Sequence, residues 1–393
     1  MTRASGGRPE LGVAVIGCGW MGHAHSRGYL RLPHHYPELE LLARLITVAD
    51  PEAERCQDAI RRYGFSDSTP DWREVVADDR IEAVSVTAPN FLHREIAVAL
   101  AQAGKHLWIE KPVGLSLQDA GAVAAAVRAA GVQATVGFNY RHAPAVERAR
   151  ELIGHGAIGG VTNARFRLLS DYAAHPHGAL SWRFERAQGG SGVLDDLVSH
   201  GVDLARHLLG DIASVMADSA TFISERPRPT GPASHFATAE GGESGAVENE
   251  DYLGCLLRFA SGARGMLEAS RTAVGEQNNY GFTISGSQGA ISWDFRRMGE
   301  LRLARGRDYQ NEPSAVQHVG PGSGDFARFQ PGAGIAMSYD DLKVIEAARF
   351  LQSINSATVH GASVEDAVHS AAALHAMVES VRRGCWVALT GSI

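Results

Sequence analysis

Residues 11–30, LGVAVIGCGWMGHAHSRGYL, decide the fold. Residues 11–16 form a short, β-branched apolar run, as expected of a strand buried on both faces of a parallel sheet. Gly17-Cys18-Gly19-Trp20-Met21-Gly22 follows at once, and residues 23–30 suit a helix. G-x-G-x-x-G alone is a weak signal in a chain with 44 glycines. Placed between a strand and a helix, it points to a dinucleotide. Gly17 would allow the tight turn, Gly19 the approach of a pyrophosphate and Gly22 close helix–strand packing, with Trp20 and Met21 in the same loop. The helix start would then turn its N–H groups to the phosphates.

Leu42–Ala49 (LARLITVA) reads as the second strand and ends in Asp50. A carboxylate there can accept hydrogen bonds from the adenosine ribose hydroxyls and repel a 2′-phosphate, which favours NAD over NADP. Asp50 lies further from the glycines than the usual ~20 residues, and the proline-bearing stretch 33–40 accounts for the excess as a loop. Asp50 also suits the start of a helix near Pro51, because Asp-Pro is a good helix opening. The two roles are compatible.

Strand and helix patterns then alternate: strand 81–87, helix 91–103, strand 105–109, Ala-rich helix Leu117–Ala130 and strand 134–138. Such alternation predicts a doubly wound parallel sheet, whose ligands sit beyond the carboxyl ends of the strands. Thr87-Ala88-Pro89-Asn90, Glu110-Lys111-Pro112 and Asn139-Tyr140-Arg141 all fall at those ends, so this edge is the expected site. His93 either caps or packs its helix, or touches the cofactor edge.

The length of 393 residues suits two domains: a dinucleotide-binding domain over 1–140 and a substrate domain over 141–393. A net charge of −7 with no Lys/Arg run argues against nucleic acid as a partner. No stretch approaches the ~18 apolar residues of a membrane helix. MTRASGGRPE lacks the apolar core of a secretory signal and reads as a frayed tail. Cys18, Cys56, Cys255 and Cys385 are scattered, which suits reduced thiols in a cytoplasm. His23/His25, His34/His35 and His175/His177 lack suitably spaced Cys or carboxylate partners, and no metal is assigned. His175 instead suits the mouth of a substrate site.

In the second half, Val161–Leu169 alternates as a strand with one polar face. Tyr252–Phe259, 263–270, 280–285, 290–295 and 301–304 read as further strands, with a hairpin signal at Ser285-Gly-Ser-Gln-Gly289. Residues 225–250 and 321–334 read as long loops. Helices over 339–354 and Val364–Arg383 close the chain with core-facing apolar residues.

GCGWMG, the APNFLH stretch at 88–93, E-K-P at 110–112, Asn139-Tyr140-Arg141 and GVLDDLVSH at 192–200 occur in a characteristic order. In these motifs the chain resembles the glucose–fructose oxidoreductase / inositol dehydrogenase / MocA family over nearly its whole length. The resemblance implies an N-terminal Rossmann domain and a C-terminal α/β domain with a large open, mostly antiparallel sheet that serves a homodimer or homotetramer. Leu180-Ser-Trp182-Arg183-Phe184 and Asn278-Asn279-Tyr280 are similar to a sugar-oxidising branch that includes levoglucosan dehydrogenase. Many relatives have glycine where this chain has Val198, a change expected to alter packing but not the Asp196-to-His200 spacing.

The implied activity is NAD-dependent hydride transfer from a secondary alcohol of a sugar, anhydrosugar, glycoside or inositol. Such a reaction needs alignment, a base for the hydroxyl proton and stabilisation of the developing alkoxide. Asp196 and His200, four apart in a helix expected over 193–209, share one face. An imidazole with a pKa near ~6.5 suits His200 as base, with Asp196 orienting it or holding a substrate hydroxyl. Lys111 would donate to the reacting oxygen, and whether Lys111 or His200 takes the proton stays open. Asn139, Tyr140, Arg141, Asp171 and His175 complete the expected substrate contacts. Trp182 could stack on nicotinamide or sugar and Arg183 reach a phosphate, or the pair could be packing and surface residues. Two other readings use the same Rossmann site: a glycosidase that restores its NAD at each turnover, and a non-catalytic dinucleotide-binding subunit.

Overall fold

The structure is a computed structural model describing residues 8–229, 231, 237–239, 243–306 and 308–389. The expected frayed tail falls mostly outside the described residues. Two compact units result: 1–139 with 338–368, and 140–337 with 369–393. Residues 338–368, read from sequence with the second domain, group with the first unit.

The first unit alternates β1 (Glu10–Ile16), α1 (Trp20–His35), β2 (Leu42–Ala49), α2 (Ala53–Tyr63), β3 (Asp67–Thr69), α3 (Trp72–Ala77), β4 (Ala83–Val86), α4 (His93–Gln102), β5 (His106–Ile109), α5 (Leu117–Ala130) and β6 (Ala134–Val136). All six strands are parallel, in the order β3-β2-β1-β4-β5-β6. The order reverses between β1 and β4, which is where such sheets open a crevice. Val13, Ala14 and Val15 have no exposed surface, which explains the unbroken apolar run.

Three elements differ from expectation, one of them α3, a short helix over a stretch where the sequence pattern announces none. α1 runs through Pro33 to His35, although 33–40 reads as a loop. A proline near the last turn forfeits one helix bond, and burial of Tyr29, Leu32 and Tyr36 offsets that loss. β3 escaped notice because Asp67-Ser-Thr69 is polar and short; pairing with β2 holds it.

The second unit contains α6 (Pro144–Gly154), β7 (Val161–Leu169), α7 (Arg186–Gly189), a π turn (Leu194–Val198) leading into α8 (Ser199–Leu209), β8 (Ile212–Ala220), β9 (Glu225–Pro227), β10 (Ser244–Ala246), β11 (Tyr252–Phe259), β12 (Arg264–Ser270), β13 (Asn279–Gly286), β14 (Gly289–Asp294), β15 (Glu300–Arg305), β16 (Ser314–His318) and β17 (Val387–Ala388). Nine strands form one sheet, β16-β15-β14-β13-β7-β12-β11-β8-β17, antiparallel except where β7 meets β12. The hairpin expected at 285–289 joins β13 to β14. The expected loop 225–250 contains the β9–β10 pair. Every residue of β16 is exposed, so no hydrophobic alternation announces it.

α9 (Tyr339–Ser356) opens on a capping box between Ser338 and Asp341 and belongs to the first unit. α10 (Val364–Arg383) begins in the first unit and ends in the second.

Candidate active site

At the end of β1, Gly17 takes φ +89°, and a Cβ there would lie 2.6 Å from the Ala88 nitrogen. A Cβ on Gly22 would fall 2.2 Å from the Gly17 oxygen, so α1 can start so close only with glycine. Gly19 is different: a Cβ there would meet nothing within 4 Å. Gly17 and Gly22 are required by packing, whereas Gly19 borders open space. α1 starts beside it with no side-chain cap and no acidic residue in its first turn, leaving its N–H groups for an anion. This cradle fits the pyrophosphate of a dinucleotide.

Asp50 is nearly buried, and its carboxylate is engaged: Oδ2 accepts from Cys18 N at 2.7 Å, and Oδ1 from Glu52 N at 3.0 Å. It ties the glycine loop to the end of β2. Thr87 Oγ1 donates to the Gly17 oxygen at 2.6 Å and so braces the same loop. Trp20 is exposed and stacks on Tyr339 of α9, ring centres 5.3 Å apart; the Tyr339 hydroxyl approaches the Met21 sulfur at 3.7 Å. Tyr339 was not legible as a loop neighbour, since it lies over 300 residues away in sequence.

At the ends of β4, β5 and β6 lie the other expected residues of this unit. Pro89 precedes a 3-10 turn (Asn90–Leu92). His93 is buried with its ring nitrogens 2.7 Å from the Pro112 and Ala88 oxygens. Both partners are acceptors, so a neutral ring serves one at a time, and burial disfavours the doubly protonated form. His93 therefore joins two strand ends rather than facing outward. Lys111 follows β5, with a cis peptide to Pro112. Asn139 is fully buried, and among the described residues neither polar atom of its amide has a hydrogen-bond partner, an unspent donor and acceptor beyond β6.

Glu110, expected at the cofactor, instead turns its carboxylate inward. Oε1 accepts from His25 Nε2 at 2.8 Å and from Lys343 Nζ at 2.5 Å, while Lys343 also donates to Glu346 at 2.8 Å. Burial alone would raise the Glu110 pKa, but the Lys343 ammonium and His25 hold it well below the usual carboxylate range. Burial brings His25 down to about 4. A neutral ring is consistent with its bonds: Nε2 donates to Glu110, and Nδ1 sits 3.1 Å from Ser85 Oγ, itself 2.9 Å from the Tyr29 hydroxyl. His25, Glu110 and Glu346 alone resemble a metal-ligand set, but the Lys343 ammonium stands where a cation would. Sequence reading passed over Lys343 and Glu346 as members of a core helix; two charges three apart within a buried apolar run were the available signal.

In the second unit, Asp196 lies in the π turn and His200 in the first turn of α8. Glu250 anchors this helix start, its backbone oxygen accepting from Val193 and its carboxylate from Leu194. π turns are rare and concentrate at functional sites. Val198, at the position where glycine was the expectation for relatives, is fully buried in packing. Tyr172 donates to Asp196 Oδ2 at 2.6 Å. The His200 ring lies 4.6 Å from that of Tyr140, which contacts Phe295 at 5.0 Å and Tyr280 at 5.8 Å. Tyr172 and Phe295 were missed, because no local motif marks them.

The remaining expected residues of this unit are differently occupied. Arg141 is buried in an ion pair with Asp203 rather than offered to substrate. The Asp171 carboxylate accepts from Gly275 N and Gln277 Nε2, holding the 275–277 turn. His175 Nδ1 accepts from His177 N. The Arg183 guanidinium covers the ring of its neighbour Trp182 at 4.6 Å.

Residues 11–138 match the oxidoreductase family with an NAD-binding Rossmann fold, and residues 146–292 the GFO/IDH/MocA C-terminal domain. Levoglucosan dehydrogenase of Pseudarthrobacter phenanthrenivorans is 37% identical over 381 residues, spanning 96% of this chain and 98% of that protein. Myo-inositol 2-dehydrogenase of Thermotoga maritima is 28% identical over 72% of this chain and 75% of its own. A solved levoglucosan dehydrogenase in complex with NADH and levoglucosan superposes with a TM-score of 0.90 at 35% identity, covering 97% of this chain and 100% of that one.

Proposed function

This chain belongs to the GFO/IDH/MocA oxidoreductase family, and on that premise we propose that it oxidises a secondary alcohol of a pyranose-like sugar or anhydrosugar. It is an NAD-dependent dehydrogenase of sugar or polyol alcohols, and the substrate class is the finer reading. NAD supplies the hydride acceptor. His200 receives the hydroxyl proton, Asp196 fixes a substrate hydroxyl or the imidazole, and Lys111 donates to the reacting oxygen, favouring its alkoxide character.

One observation carries the choice of a sugar ring: the aromatic wall of Tyr140, Tyr280 and Phe295 beside His200. Aromatic faces pack against the apolar C–H face of a pyranose, while the Asp196 carboxylate meets its hydroxyls. The named relatives act in the same chemical territory. The test is to incubate protein and NAD with a panel of anhydrosugars, aldoses and inositols and follow absorbance of the reduced cofactor. Reduction with an anhydrosugar or pyranose supports the reading; reduction with inositols alone, or with none, overturns it.

A further inference from the structure

The first unit seals an ionic cluster behind the strand end that carries Lys111. Lys343, Glu346 and His25 have no exposed surface, and Glu110 very little. Removing ions from water costs several kcal/mol each, and apolar residues of similar size often serve stability as well. Stability is therefore a poor explanation for keeping this cluster. Its place in the chain offers a better one.

Glu110 immediately precedes Lys111. Its N–H donates to the Val86 oxygen, which fixes its backbone to β4. Its side chain is held on two sides: Lys343 and His25 grip Oε1, and a Cβ on Gly137 would lie only 2.5 Å from Oε2. Lys343 is itself aimed by Glu346, one helical turn along α9. The ring of His25 stacks on Trp108 of β5 at 3.5 Å, so the second donor is equally fixed. Backbone and side chain together leave the chain one exit from β5.

We propose that Lys343, 233 residues downstream of Glu110, is the positioning residue for Lys111, gripping the preceding side chain so that the lysine leaves the strand at one fixed place. This rests on the role given to Lys111 above. Placement matters at this scale, because a displacement of about 1 Å can cost about 10²-fold in rate. Arg27–Asp340 and Arg31–Asp341 also tie α9 to α1, but neither touches Glu110, so they anchor the helix without aiming it.

The test uses the full chain. The double variant Lys343→Met/Glu346→Gln removes one cation and one carboxyl group together and leaves the Glu110 side chain to His25. Asp340→Asn, which loosens the same helix elsewhere, is the comparison. Expected for the double variant are amide exchange over residues 107–116 about tenfold faster, kcat lower by about 10- to 100-fold, and a sugar KM within about twofold of the parent. Asp340→Asn should match the parent in all three. A folded double variant with parental exchange at 107–116 overturns the proposal, as does one with parental kcat. Should the double variant fail to fold, Glu110→Gln decides by the same readouts, since Lys343 then keeps Glu346. If the parent reduces no NAD with any sugar, the functional reading fails, while exchange still decides whether Lys343 holds this segment.

Discussion

The hydroxyl of Tyr172 donates to Asp196 Oδ2 at 2.6 Å, and this bond ties the turn after β7 to the π turn before α8. Burial and the adjacent carboxylate hold the phenol well above its ordinary range, so it remains a donor wherever the enzyme works. Tyr172→Phe should leave the fold intact and lower kcat/KM about tenfold, which is about 1.4 kcal/mol, near the worth of a hydrogen bond to a charged group. Steady-state kinetics decide it. A parental kcat/KM would show that Asp196 needs no such partner.

The glycines of the loop should separate folding from binding. Gly22→Ala places a methyl 2.2 Å from a backbone oxygen and should lower Tm. Gly19→Ala meets only open space and should leave Tm unchanged while weakening NAD by at least about tenfold, because the methyl enters the pyrophosphate cradle. Calorimetric titration with NAD, paired with thermal melts, reads both. Undiminished NAD affinity in Gly19→Ala would place the phosphates elsewhere.

Asp50 holds the loop through Cys18 and Glu52 and carries the charge expected to exclude a 2′-phosphate. Asp50→Asn keeps the size and removes the charge, at the cost of one of the two backbone bonds, because an amide nitrogen cannot accept from an N–H; that cost falls on both cofactors alike. The preference for NAD over NADP, measured as the ratio of the two dissociation constants, should shrink by about tenfold. An unchanged ratio would confine Asp50 to bracing the loop.

His200→Ala should lower kcat by about 10²- to 10⁴-fold, the usual worth of a positioned base, with NAD affinity and Tm near those of the parent. Single-turnover rates at saturating NAD and sugar measure the loss. A decrease smaller than about tenfold would move the proton to another group, with Lys111 first in line.

Acid should destabilise the first unit through His25. The folded ring titrates at about 4 because it is buried, against 6.5 for an exposed histidine. Between those values the unfolded chain holds the extra proton, so unfolding is favoured as pH falls from 6.5 towards 4, by about 3 kcal/mol at the lower end. Glu110, held low by Lys343 and His25 against the pull of burial, loses its contribution in the same direction but at lower pH. Urea unfolding at a series of pH values tests this; stability that stays flat or rises from pH 6.5 to 5 would contradict it.

Local chemistry made much of this molecule readable from its residues. Residues 11–22 dictate a buried strand, a glycine turn and a helix because apolar runs, positive φ and close approach each admit few residue types. Leu42–Ala49, Leu117–Ala130 and Val161–Leu169 match their strands and helix end to end, since a buried face imposes its period on the sequence. Short β3 and exposed β16 carry no such period, and only pairing reveals them.

Strand–helix alternation and motif spacing thus determined the Rossmann half and the glycine loop, and the family resemblance carried by those motifs implied the mostly antiparallel partner sheet and supported the candidates Lys111, Asp196 and His200. Tertiary structure alone decided which polar side chains were already spent: Arg141 on Asp203, Asp171 on the 275–277 turn, Glu110 on Lys343 and His25. It also brought Tyr339 to the glycine loop and Tyr172 to Asp196. A side chain's partner depends on which distant segment packs beside it, and no pattern confined to neighbouring residues contains that information.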